Sequence, residues 1–237
     1  MARVSLGVGM LAALVGCLLT PVGMGRDAGQ VMSLSVGILT LGYLAAFVHE
    51  ARRHMLLVKG VARLSRPGSI GGHDVAFVPG LGGALVGGLR TPRIFWGDDL
   101  AGHLDDEELC AVLLHERHHQ LERAPLRLVL IGALAPWLRH LEAGRTWIER
   151  ERARVEIAAD AFALAAGVAR PVLASALVKL SSEAHLAALP AFATAADLRI
   201  RALIGEPTGL EPDRPSSWAP ALAALGLLAA CVLFTLR

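Results

Sequence analysis

Three stretches of the chain contain no Asp, Glu, Lys or Arg: residues 4–25, 31–48 and 219–236. Such runs constrain folding strongly, because a long apolar helix must be covered by lipid or by protein. Each of the last two runs is 18 residues long. At about 1.5 Å per residue an 18-residue helix reaches roughly 27 Å, close to the roughly 30 Å of a bilayer's hydrocarbon core. All three predict transmembrane helices, with a signal peptide as the alternative for the first, since Met1-Ala-Arg3 gives it a basic start. Residues 128–138 are uncharged for only 11 positions. That stretch is too short to cross, and predicts a re-entrant or interfacial helix near 126–141, or a buried core helix. Arg52, Arg53, Lys59, Arg63 and Arg66 follow the second run, which puts its exit on the cytoplasmic side. The expected layout is therefore a multi-pass protein of the cell membrane with the lipid bilayer as a partner. Residues 1–48 form two transmembrane helices, 49–218 a cytoplasm-facing domain, and 219–237 a last transmembrane helix.

Composition excludes several function classes. Hydrophobic residues make up 54% of the 237 and charged residues 19%, too apolar a balance for intrinsic disorder. The three cysteines are an odd number, and two of them, Cys17 and Cys231, lie inside uncharged runs, which argues against a disulfide scaffold. With 23 basic and 21 acidic residues the net charge is +2, so no strong field draws nucleic acid.

Between the apolar runs the pattern predicts an α+β fold, mostly helical with a small β-sheet. Residues 74–78 read as a strand, Pro79-Gly-Leu-Gly-Gly83 breaks it, and 84–86 resumes it. Residues 91–96 read as a further strand with Pro92 near its start, where a missing N–H is tolerated. No Gly-Lys-Ser/Thr follows the glycines, so they read as hairpin turns rather than a phosphate loop. Asp105-Asp-Glu-Glu108 opens a helix running to about Glu122, with acids in its first turn as the helix dipole prefers. Further helices are expected over 145–168, 171–188 and 197–204, and 206–217 reads as a proline-rich linker.

The residues that carry chemistry are His115-Glu-Arg-His-His119. On a helix, positions i and i+4 share a face, so the imidazoles of His115 and His119 can hold one metal ion. Glu116 sits beside the first ligand, where a general base belongs. His118 is a competing ligand by spacing, but its choice leaves Glu116 without a task. A third ligand is sought downstream. Glu156 and Asp160 are i and i+4 in an otherwise apolar helix, where acids are costly unless paired or metal-bound. Glu149 and Glu151 belong to the charged run Glu149-Arg-Glu-Arg-Ala-Arg154 and read as a solvated face. Glu156 is the expected ligand, with Asp160 accepting from an imidazole N–H; a surface acid pair near Arg152 is the alternative. Two imidazoles and a carboxylate suit Zn²⁺.

His115-Glu-Arg-His-His119 followed by Glu156-Ile-Ala-Ala-Asp160 resembles the gluzincin pairing of H-E-x-x-H with E-x-x-x-D. Gly87-Gly-Leu-Arg-Thr-Pro-Arg-Ile94, Leu104-Asp-Asp-Glu-Glu-Leu109 and Arg123-Ala-Pro-Leu126 extend the resemblance to the BlaR/MecR-type membrane zinc metallopeptidases, and more distantly the HtpX-type ones, over residues 70–205. The resemblance implies a membrane-embedded zincin-like peptidase domain. His115, His119 and Glu156 would hold zinc, Glu116 would be the base, and a protein or peptide, with a transcriptional repressor as one candidate, would be cleaved at the cytoplasmic membrane face. Residues Arg93, Ile94 and Phe95 are the expected substrate strand. Ala124 stands where such proteins often have an acid. The His-Pro that precedes Arg199-Ile-x-x-Leu203 in HtpX-type enzymes is absent, which leaves His140, His185 and Arg199 as candidate oxyanion stabilisers. A non-catalytic membrane signalling or assembly protein that kept a zinc fold is the rival, against which Glu116 argues. A metal transporter is disfavoured, because the three runs hold no acid and no histidine.

Overall fold

The computed structural model describes residues 26–183, 190–208 and 210. It opens with helix α1 (Arg26–Leu64), then β1 (Arg66–Ile70), β2 (His73–Val78), β3 (Ala84–Gly87) and β4 (Arg93–Gly97). Six helices follow: α2 (Leu100–His103), α3 (Asp106–Leu121), α4 (Ala124–Leu138), α5 (Glu142–Ala165), α6 (Arg170–Glu183) and α7 (Pro190–Leu203).

The four strands form one sheet in the order β1-β2-β4-β3. β1 and β2 are antiparallel, joined by Gly71 and Gly72, whose φ angles of +54° and +79° make the two-residue turn that suits hairpin twist. β2 pairs with β4 in parallel, and β3 pairs with β4 antiparallel. Val75, Ile94 and Trp96 from the sheet pack with Leu100, Leu104 and the Val112–Leu113 face of α3. The opposite side of α3 puts Ala111 against Ala163, Leu173 and Leu203. α3 is thus a central helix, wedged between the sheet and α5 to α7.

Local chemistry sets the helix ends. The Asp105 side chain accepts from the Glu108 N–H, and the Glu108 side chain accepts from the Asp105 N–H, a reciprocal cap that starts α3. Pro125 lies in the first turn of α4, where its missing N–H costs nothing. At the end of α5, Gly167 takes φ +101°, and the N–H groups of Gly167 and Val168 close onto the carbonyls of Leu164 and Ala163.

The membrane layout is overturned. Among the described residues no helix is long and apolar enough to cross a membrane. The fold is α+β, mostly helical with a four-stranded sheet, and among the described residues the expected membrane-embedded, multi-pass arrangement is contradicted. Of the three uncharged runs, only 31–48 falls among the described residues, in α1. Residues 31–48 are the first part of a helix that continues through Glu50, Arg52, Arg53, Lys59 and Arg63. That helix packs along α4: Tyr43 donates to the Leu130 carbonyl (3.5 Å) and its ring lies 6.2 Å from that of Trp137. Among the readings of residues 128–138, α4 fits the buried core helix. Val129, Ile131 and Ala133 are buried, and the helix packs against both α1 and α5. Residues 4–25 and 219–236 lie outside the described residues.

Candidate metal centre

The apolar turn Ala111-Val112-Leu113 anchors α3 in the core, and the next turn carries the candidate residues inward. His115, Glu116 and His119 are 7%, 7% and 8% exposed. The rings of His115 and His119 meet edge to face at 4.6 Å, with their Nε2 atoms 3.0 Å apart. From α5, Glu156 brings Oε2 to 3.3 Å from His115 Nε2 and Oε1 to 3.6 Å from His119 Nε2. One donor atom from each of the three residues lies within 4.8 Å of the others. A tetrahedral zinc with bonds of about 2.0–2.1 Å has ligand-to-ligand edges of about 3.4 Å. The separations of 3.0, 3.3 and 3.6 Å, the last two to different Glu156 oxygens, are of that order, and two imidazoles with a carboxylate are donors zinc takes.

The electrostatics fit the same ion. Burial and the Arg199 guanidinium push the His115 imidazole down, but hydrogen bonds to Asp160 and Glu156 prevail and hold it at about 9. Burial works to raise Glu156, yet His115 and His119 hold its carboxyl well below the usual range. Glu156 thus favours positive charge beside it, which a divalent cation also supplies.

Around the donors, His115 Nδ1 donates to Asp160 Oδ1 at 2.8 Å. With that proton fixed on Nδ1, it is the neutral imidazole that presents Nε2, on the side of Glu156 and His119, as its lone-pair nitrogen. Burial opposes ionisation of Asp160, and bonds from His115 and Arg199 outweigh it. Arg199, on α7, donates from Nε to Asp160 Oδ2 (2.8 Å) and from one Nη to Asp160 Oδ1 (2.7 Å). Its other Nη lies 3.4 Å from Glu156 Oε2. Glu116 Oε2 and His119 Nδ1 are buried with no hydrogen-bond partner among the described residues. A buried acceptor left so costs about 1–3 kcal/mol, and at Glu116 it sits one residue from His115.

The sequence-derived candidates divide cleanly. His115, His119, Glu156 and Asp160 come together. His118 does not join the donors; it is half-buried with its ring 5.3 Å from Phe162, and burial, then His119, pushes its imidazole down. Arg93, Ile94 and Phe95 are corrected as a substrate strand. β4 is an inner strand, paired by β2 on one side and β3 on the other, and Ile94 and Phe95 are 1% and 2% exposed in the core. No edge of β4 is left to take another strand. His140 is exposed and accepts from its neighbour Arg139, and His185 lies outside the described residues. Glu151 is corrected as well. It is not on a solvated face but 6% exposed, paired with Arg127 at 3.4 Å and with Arg154.

Compared with protein-family models, curated proteins and solved structures, the chain matches none.

One residue near the centre is absent from the sequence-derived candidates, and a second has a different task from the expected one. Gln120 donates to the Pro92 carbonyl at 2.9 Å and ties the β3–β4 connection to α3 directly after His119; its position beside the motif is the only signal. Arg199 was visible as a candidate, but its partners on α5 were not.

Proposed function

We propose that the chain is a zinc-dependent peptidase of the gluzincin type, in which His115, His119 and Glu156 hold the ion and Glu116 is the general base. One observation carries this reading. Two imidazole nitrogens and a carboxylate converge within 4.8 Å, beside a buried carboxylate whose Oε2 has no partner among the described residues. The resemblance to BlaR/MecR-type and HtpX-type peptidases in residues 70–205 supports it.

A bound zinc ion would act as a Lewis acid on the scissile carbonyl and make water nucleophilic near neutral pH. The rest falls to the chain. Glu116 takes a proton from the attacking water at its free oxygen and passes it to the leaving amine, so it ends the cycle as it began. Asp160 keeps the His115 proton on Nδ1. Of the two edge strands, β3 is the one packed against α3, and Gln120 fixes its connection to β4. An extended protein or peptide substrate added along β3 would be held by backbone hydrogen bonds beside the centre.

Glu116→Gln is the test. The variant is expected to keep its zinc and to lose about 10²–10⁴-fold in cleavage of a mixed peptide library followed by mass spectrometry. Cleavage at the wild-type rate removes Glu116 as the base.

A further inference from the structure

The Arg199 side chain is 15% exposed, and all three of its guanidinium nitrogens face the two carboxylates of α5. Nε and one Nη grip Asp160 as a fork, and the second Nη reaches Glu156. A guanidinium is planar and rigid, so one group with three fixed donors sets the spacing of both acids across one helical turn. Asp160 Oδ1 is shared, since it also accepts from His115 Nδ1 at 2.8 Å. A single side chain of α7 therefore reaches a carboxylate ligand directly and an imidazole ligand through Asp160.

We infer that Arg199 is a positioning residue of the metal centre, one that makes tight metal binding depend on the docking of α7, rather than an oxyanion stabiliser. Each of its three nitrogens already faces Asp160 or Glu156. A donor for a developing oxyanion has to point at the reacting carbonyl instead. Without Arg199, Glu156 and Asp160 repel each other one turn apart, with Glu116 close enough to act on the same guanidinium. α7 is also the last described helix and packs against α5. Anything that lifts α7 from α5 withdraws the fork and loosens the ion, and by linkage the ion strengthens the docking of α7.

This inference rests on the zinc reading, and the experiment separates the two. Zinc affinity is measured on the full chain by competition with a chromophoric chelator, for wild type, R199M, R199K, D160N and the D160N/R199M double variant, with fold checked by circular dichroism. Removing a group that orients a ligand typically costs 10–100-fold in metal affinity. R199M is expected to bind zinc about that much more weakly. R199K, which keeps the charge but not the fork, is expected to fall between it and wild type. In the D160N background R199M should add little, because most of its effect passes through Asp160. Should R199M not fold, R199K carries the comparison. A folded Arg199 variant that binds zinc as tightly as wild type, or an R199M effect of full size in the D160N background, overturns the inference alone. A wild-type chain that takes up no zinc overturns the zinc reading and this inference with it.

Discussion

Glu151 and Glu156 leave the same helix little more than one turn apart, yet their surroundings differ in kind. Glu151 lies between the guanidinium groups of Arg127 and Arg154. Every partner it meets is an N–H donor, so its oxygens are saturated and its role is to balance charge between α4 and α5. Glu156 faces two imidazole nitrogens and one Nη of Arg199. An imidazole that shares a proton with a carboxylate can give it up and present a lone pair to a cation, which a guanidinium cannot do. Glu108 belongs with Glu151: it is 2% exposed and bound by Ser175 (2.6 Å), Lys179 (2.7 Å) and the Asp105 N–H. Burial of an acid is therefore no sign of a metal site in itself. What separates ligand from structural acid is whether its neighbours bring hydrogens or lone pairs.

Substitutions can break that distinction. The largest stability effect is expected at Glu151. Glu151→Leu leaves Arg127 and Arg154 without their counter-charge; both are part-exposed (22% and 41%), so water offsets some of the loss and about 2–3 kcal/mol is expected. The variant should unfold at markedly lower denaturant while its folded fraction keeps a wild-type zinc content. A wild-type midpoint, or zinc lost from the folded protein, would place Glu151 in the wrong group.

A smaller effect is expected at Glu108. Burial would raise its pKa, but Lys179, Ser175 and the Asp105 N–H hold it down to about 2, against an ordinary 4.5. A carboxyl whose pKa is depressed by folding stabilises the native state above about 4.5, and that contribution fades as pH falls toward about 2. Glu108→Gln should therefore lose about 1–2 kcal/mol at pH 7. The gap from wild type should close as pH drops below 4.5 in a denaturant titration series. A gap that stays constant into acid contradicts this role.

What could be read from the sequence follows from how local each interaction is. His115 and His119, like Glu156 and Asp160, are four apart on single helices, so their shared faces are a matter of helical period alone. The acid run 105–108 likewise marks the start of a helix by its charge, though not the reciprocal cap that Asp105 and Glu108 form. Glu151 was misread because its partner Arg127 lies 24 residues upstream on another helix. Arg199 is 39 residues beyond Asp160, and nothing at its own position reveals which acids it meets. The substrate strand went astray for a topological reason. Chain order is β3 then β4, but β4 inserts between β2 and β3, so a strand beside the motif becomes an inner one. β1 was not expected at all, because Arg66-Pro-Gly-Ser has little strand preference and pairing with β2 supplies it. The uncharged run 31–48 illustrates the same limit. Absence of charge specifies apolar cover, and along α1 part of that cover is α4.

Zinc content decides most directly whether His115, His119 and Glu156 form one metal centre. The full chain and its Glu156→Ala variant are purified identically and their zinc is measured by mass spectrometry. Wild type is expected to hold one zinc per chain and the variant to have lost it. Equal zinc in the two proteins contradicts the assignment of Glu156 as a ligand.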